Sequence, residues 1–281
     1  MTVPVTLLEQ LLAEDVPDLD LTTEALGIGS RLGRMTFSAR SAMVVAGTEV
    51  AAGMARLAGA TVSVEAVSGS RVASGALLLT AEGPARALHC AWKSAQTLVE
   101  ILSGMATAAR AVADAVEAVD ANVRVACTRK TVPGARRLSM LAIRAGGAIP
   151  HRLGLSETVL VFREHRVFLD GWTLARIAER LRRETPEKKL VIEVHEVSDA
   201  AEAIAAGFDV VQLETFTPER VAEAAAIARQ APRPVLLAAA GGINPENAGA
   251  YVRAGAGLIV TSWPYTARPA DVAVKIEPAA G

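Results

Sequence analysis

The chain of 281 residues carries only two cysteines, Cys90 and Cys127, and they are not at a metal-type spacing. That excludes a disulfide framework and suits free thiols in a reducing compartment. Four histidines are present, and no two His or Cys residues stand at a standard zinc-ligand spacing. Net charge is nearly absent, with 29 basic against 30 acidic residues. The sequence therefore has no global electrostatic footprint for nucleic acid or an anionic membrane, and any anion affinity has to be local. The longest apolar runs are broken by Gly, Arg or Glu well before spanning length, so no transmembrane segment is expected. The opening Met1-Thr2-Val3-Pro4 lacks a signal peptide's basic-then-apolar order, which points to the cytoplasm. No G-x-G-x-x-G follows the first strand of the second half, which argues against a nucleotide-binding open sheet.

What is present is enough apolar material for a sizeable core, 51% of the chain. Up to about residue 120 the pattern is mixed. A short helix is expected over 6–14, β-rich pieces within 32–46, a helix over 47–57, strands at 61–67, 71–72 and 76–81, and a long helix from Pro84 to about Val119 with Gly104 as a weak point. After residue 120 short apolar strands alternate with amphipathic helices. The strands are expected at 123–127, 158–163, 190–194, 210–213, 235–239 and 258–261, and the helices at 135–145, 172–183, 198–206, 218–229 and 245–254. Such alternation implies parallel strands with crossover helices, and six units suit a barrel or partial barrel, whose chemistry sits where strands end.

Those ends are chemically uneven. The first carries Thr128-Arg129-Lys130, the turn before the second carries His151-Arg152, and the second ends at Arg163-Glu164-His165. Guanidinium forks, a mobile ammonium and an imidazole can hold a small anion. Glu193 and His195 share one face of the third strand by the period-two rule, and Glu214 ends the fourth. The two carboxylates could bind Mg²⁺ beside a pyrophosphate, or stabilise positive charge on a sugar carbon; an ion pair with nearby arginines is the plainer alternative. Gly241-Gly242, before a helix expected to be capped by Asn244-Pro245, suits a phosphate. Thr261 and Ser262 end the last strand. Lys130 could in principle form a Schiff base, but with Arg129 adjacent an anion contact is favoured.

These motifs resemble the quinolinate phosphoribosyltransferase family. The resemblance rests on Thr128 to Gly134, on Gly146 to Leu155, on Leu102 to Thr107, on Glu193 and on Gly241 to Ile243, and it covers nearly the whole chain. It implies an α/β fold of the type II phosphoribosyltransferase kind: an N-terminal α/β sandwich (1–107, with 268–281 packing on it) and an incomplete, open α/β barrel (108–267). It also implies a homodimer, or a hexamer built from dimers. The implied reaction transfers phosphoribosyl from 5-phosphoribosyl-1-pyrophosphate to a pyridine dicarboxylate with Mg²⁺, followed by decarboxylation. By position, Arg129, His151 and Arg152 would contact the acceptor's acid groups, with Lys130 near acceptor and pyrophosphate. Glu193 and Glu214 would face ribose and metal. Gly241 and Gly242 would cradle the 5′-phosphate, with Asn244, Thr261 and Ser262 beside them.

The departures are as informative. Trp92-Lys93 stands where the family usually has Glu-Arg, whose arginine reaches a partner's site. Phe162 replaces a substrate-facing lysine, with His165 three residues on. Leu213-Glu214-Thr215 replaces Leu-Asp-Asn, and Ala240 replaces a serine. The pattern looks like the ModD subfamily, found with molybdate-transport genes. The reading is a phosphoribosyltransferase for an aromatic acid, with an acceptor site not optimised for quinolinate. The alternative is a non-catalytic anion- or metabolite-binding protein linked to molybdate.

Overall fold

A computed structural model describes residues 3–279. In chain order it runs through α1 (Val5–Asp15), α2 (Leu21–Ala25), β1 (Leu32–Ala39), β2 (Met43–Val44), α3 (Thr48–Leu57), β3 (Thr61–Val64), β4 (Arg71–Val72), β5 (Leu77–Pro84) and α4 (Ala85–Glu117). There follow β6 (Arg124–Cys127), α5 (Arg136–Ala145), β7 (Ile149–Pro150), β8 (Val159–Val161), α6 (Arg163–Arg166), α7 (Leu174–Glu184), β9 (Leu190–Val194) and α8 (Val197–Ala205). The chain ends with β10 (Val210–Glu214), α9 (Pro218–Arg229), β11 (Leu236–Ala240), α10 (Ala248–Arg253), β12 (Leu258–Thr261) and β13 (Val272–Pro278). It divides into two compact units: Met1–Arg110 with Val132–Gly147 and Thr266–Gly281, and Ala111–Thr131 with Ala148–Tyr265.

The first unit is built on an antiparallel sheet in the order β13-β1-β5-β3. Burial alternates along β1, so Met35 and Phe37 face inward and are fully buried. They meet an apolar face of α4 (Leu88, Ala91, Ala95, Val99) and the buried side of α3. Gly104 does not weaken α4, which is continuous. A Cβ there would sit 2.3 Å from the Arg268 carbonyl oxygen, so the glycine lets the C-terminal segment cross the helix at contact distance. That segment is tied down next to it, where Ala270 N–H donates to the Glu100 carbonyl at 2.8 Å. The helix α5 groups with this unit rather than with the strands it lies between, because Leu138, Leu141 and Ala142 pack into the same core.

The second unit is a parallel seven-stranded sheet in the order β7-β6-β12-β11-β10-β9-β8. It is an open α/β barrel, with β7 and β8 as its free edges. Short side chains fill its inside: Ala126, Val210, Ala238, Ala240 and Val260. The helices α7, α8 and α9 bury Ile177, Ile204 and Val221 against the sheet. The edge strand β7 has only two residues, too few for an alternation to register in the sequence. Two expected boundaries also move. The strand expected at 158–163 stops at Val161, and Arg163 opens a short helical turn instead of extending the strand. The last helix begins at Ala248, not Pro245, because 244–247 form a turn of their own.

Candidate active site

All the parallel strands of the second unit end on one side, and their C-terminal ends carry the polar residues. Hydrogen bonds stitch the ends together. Thr128 N–H donates to the Thr261 carbonyl at 3.0 Å, and His151 N–H to the Cys127 carbonyl at 2.9 Å. The loops after β6 and β7 are thereby locked to their neighbours, which fixes where Arg129, His151 and Arg152 stand. Lys130 is exposed at the tip of the first loop.

Arg152 is only 5% exposed. Among the described residues no carboxylate salt-bridges either Arg152 or Arg129. Burial, and then the charge of Arg129, lower the Arg152 pKa from its ordinary value. His151 is held below the usual histidine range by burial, and further by the Arg152 and Arg129 guanidinium groups. Two arginines and an imidazole held towards its neutral form, with no carboxylate salt-bridged to either arginine among the described residues, make a group of donors that an anion would complete. Because the unfolded chain binds the His151 proton more readily than the folded one, this group's contribution to stability is complete above the ordinary value near 6.5 and is lost as pH falls towards the depressed folded value. We expect the His151 ring-proton NMR signal to titrate below 6.5 and to move upward when inorganic phosphate is added. A titration at or above 6.5 without phosphate would contradict the packing.

Phe162 stands at the end of β8 with its ring beneath Arg152, the guanidinium carbon 5.4 Å from the ring centre. Its other neighbour is the His165 ring, stacked at 5.8 Å with planes 20° apart, and His165 Nδ1 accepts from Phe162 N–H at 2.9 Å. The phenyl ring thus takes part in seating Arg152. Arg163 is exposed on α6 and supplies no replacement for a strand cation.

The opposite half of the ring is acidic. Gln212 on β10 pairs in register with Glu193 on β9, so both lie on the inner face, and Glu214 lies there too by the period of two. Gln212 Nε2 donates to Glu193 Oε2 at 2.6 Å, and His195 Nε2 lies 3.7 Å from Glu193 Oε1. Burial, and then the neighbouring Glu214 charge, raise the Glu193 pKa above the ordinary carboxylate value, while His195 and the Gln212 hydrogen bond oppose the shift. Gln212 went unnoticed in the sequence. The signal was its place in Val210-Val211-Gln212-Leu213, a polar residue two positions before Glu214 in an otherwise apolar strand.

Mg²⁺ takes oxygen ligands and commonly uses one or two carboxylates, with substrate phosphates completing the shell. Glu193 and Glu214 fit that donor set, since they are adjacent carboxylates whose proximity already raises the proton affinity of one of them. Among the described residues no three His, Cys, Asp or Glu side chains converge as a metal cage.

After β11, Gly241 and Gly242 both take left-handed φ angles, +90° and +69°. A side chain on Gly241 would meet the Thr215 nitrogen at 2.8 Å. Thr215 is itself left-handed (φ 58°), so the loops after β10 and β11 interlock through two unusual backbone conformations. Among the described residues nothing accepts a hydrogen bond from the backbone N–H of Gly241, Gly242 or Ile243. Asn244 Oδ1 accepts from Glu246 and Asn247 N–H, and the Thr261 hydroxyl donates to the Ile243 carbonyl at 2.7 Å. Both side chains shape the loop. The groups this loop leaves open are backbone N–H groups and not a helix start, since α10 is short and begins only at Ala248. Ser262 follows Thr261 at the rim. Lys93 lies on α4 in the first unit, where its ammonium bonds Gln96 Oε1 at 3.2 Å and sits 5.0 Å from the Trp92 ring centre.

Cationic, acidic and glycine-lined sectors on one barrel rim are the order that the sequence motifs imply, and comparison with known proteins decides the family. Residues 105–275 match the C-terminal domain of quinolinate phosphoribosyl transferase, and residues 20–103 match its N-terminal domain. The chain belongs to this family. It is 47% identical over 251 residues, 89% of this chain and 96% of the other, to ModD of Rhodobacter capsulatus, whose name offers pyrophosphorylase as its proposed activity. It is 31% identical over 264 residues to the carboxylating nicotinate-nucleotide pyrophosphorylase of Mycobacterium leprae, covering 92% and 91% of the two chains. In fold it is similar to NadC from Streptococcus pyogenes, with a TM-score of 0.90 at 24% identity over the full length of both chains. In this chain a phenyl ring lies under the buried Arg152 of the cationic sector. No helix among the described residues is long and apolar enough to cross a membrane.

Proposed function

We propose that the protein transfers phosphoribosyl from 5-phosphoribosyl-1-pyrophosphate to an aromatic acid, releasing pyrophosphate. The observation that carries this reading is the division of one barrel rim into unpaired cations (Arg129, Arg152) and paired carboxylates (Glu193, Glu214). An acceptor carboxylate would seat on Arg129 and Arg152, with neutral His151 beside it and Lys130 reaching the pyrophosphate. The open N–H groups of Gly241 and Gly242 would receive the 5′-phosphate. Glu193 and Glu214 would stabilise positive charge on the sugar carbon as its bond to pyrophosphate breaks, and would hold Mg²⁺. That ion would supply charge neutralisation on the departing pyrophosphate. A homodimer in which Lys93 is offered to a partner's site belongs to the same proposal.

Phe162 bears on the acceptor. Beside Arg152 it offers an apolar wall and no second cation, which favours an aromatic ring with one acid group over a dicarboxylate. A binding protein for a simple oxyanion such as molybdate would gain nothing from carboxylates facing its ligand, so the acidic sector speaks for catalysis. The test is pyrophosphate release with Mg²⁺, 5-phosphoribosyl-1-pyrophosphate and a panel of aromatic acids. Release with a monocarboxylate and little with quinolinate is expected. Full quinolinate turnover would remove the acceptor argument, and release with no acid at all would remove the transferase.

A further inference from the structure

Gln212 is the inner-face residue that the proposed chemistry has not used. Its side chain lies among Val210, Ala238 and Glu193, and the residue is 5% exposed. Only half of its amide is satisfied. Nε2 donates to Glu193, whereas Oε1 is buried with no hydrogen-bond partner among the described residues. Burying an amide oxygen in this way opposes folding, and an aliphatic side chain of the same size would avoid the cost. The pattern of the strand would accept one, since Val210, Val211 and Leu213 are all apolar. A buried group that opposes folding marks a residue kept for something other than stability.

Its one side-chain hydrogen bond among the described residues says what that is. Glu193 Oε2 is gripped from β10 by the Gln212 amide, and Oε1 faces His195 just past the end of its own strand, so the carboxylate is bracketed from both sides. A glutamate with three rotatable bonds would otherwise have several orientations open to it. We infer that Gln212 is a positioning residue that fixes the Glu193 carboxylate towards the reacting sugar carbon, at a cost to stability. The inference rests on the transferase reading for its effect on rate, and on Gln212 and Glu193 alone for its geometry.

The experiment has two arms on the full-length protein. In the first, Gln212→Leu and the unbranched Gln212→Met are compared with wild type for steady-state pyrophosphate release and thermal unfolding. Loss of a carboxylate's orienting partner typically lowers activity about 10- to 100-fold. We expect that loss in kcat, with the KM for the aromatic acid unchanged and the melting temperature equal to or above wild type. A lowered melting temperature with wild-type kcat would make Gln212 merely structural and overturn the inference. In the second arm, the side-chain amide NMR signal of Gln212 is assigned by its disappearance in Gln212→Met. It should be protected from solvent exchange and should shift when Glu193→Ala removes its acceptor. An amide signal indifferent to Glu193→Ala overturns the inference whether or not any acid is turned over. Wild-type protein that releases no pyrophosphate ends the transferase reading, and the NMR arm then decides the positioning alone.

Discussion

Arg152→Met lowers kcat/KM for the aromatic acid by roughly one hundred- to a few thousand-fold and leaves the melting temperature of the ligand-free protein unchanged or raised. The two halves of that result have one origin. Arg152 is 5% exposed, has Arg129 as a like-charged neighbour, and no carboxylate among the described residues pairs with it. In the free protein it is a desolvated charge beside another, so methionine, of similar length and apolar, relieves a cost. In the complex the same guanidinium would be one partner of a buried ion pair. Deleting one member of such a pair costs roughly 3–5 kcal/mol, at about 1.4 kcal/mol per factor of ten. Arg152→Lys should rescue poorly, because a carboxylate matched to a planar fork is not matched by a point charge. Saturating ligand supplies a check that needs no turnover. An anion at 100 times its Kd stabilises the fold by about 2.7 kcal/mol, and that gain should be seen for the aromatic acid with wild type and be reduced in Arg152→Met at the same acid concentration. A variant that keeps the acceptor kcat/KM, or that unfolds at markedly lower temperature, would show that Arg152 serves the packing and not the ligand.

The sequence exposed this site unevenly, and the reason is the range over which each feature is determined. Strands such as Leu190–Val194 and Leu258–Thr261 are short apolar runs between turn signals, and the helix at Pro218–Arg229 begins with Thr217 capping Arg220 N–H, all local chemistry. The pairing of Glu193 and His195 on one face follows from the strand period. What could not be read locally was set by contacts between distant segments. Gly104 reads as a weak point in the long helix until Arg268 is seen against it. Thr215 gives no sign that it adopts a left-handed conformation, which is set by Gly241 twenty-six residues on. Phe162 reads as a lost cation, and only its approach to Arg152 gives it a part in the site. Gln212 was hidden because its partner is on another strand.

Glu193→Gln separates the transferase from an anion receptor by the sign of its effect. The substitution keeps the shape of the side chain and can still accept the hydrogen bond from Gln212 Nε2, so the fold should be undisturbed. What it removes is one negative charge on a rim where Glu214 supplies another. If the acidic sector faces a sugar carbon that becomes positive as pyrophosphate leaves, the charge acts mainly in the transition state. Removal of one preorganised electrostatic group of this kind lowers kcat by about 10²–10³. Binding of 5-phosphoribosyl-1-pyrophosphate with Mg²⁺ should weaken as well, because a carboxylate ligand is lost. For a receptor of bare oxyanions the expectation reverses. A carboxylate near the ligand repels it, so its neutralisation would tighten binding of molybdate or phosphate measured by calorimetry. Tighter oxyanion binding by Glu193→Gln, with no pyrophosphate release by wild type, would therefore favour the receptor. A kcat reduced by two orders of magnitude or more, with an unchanged melting temperature, would make Glu193 part of the chemistry.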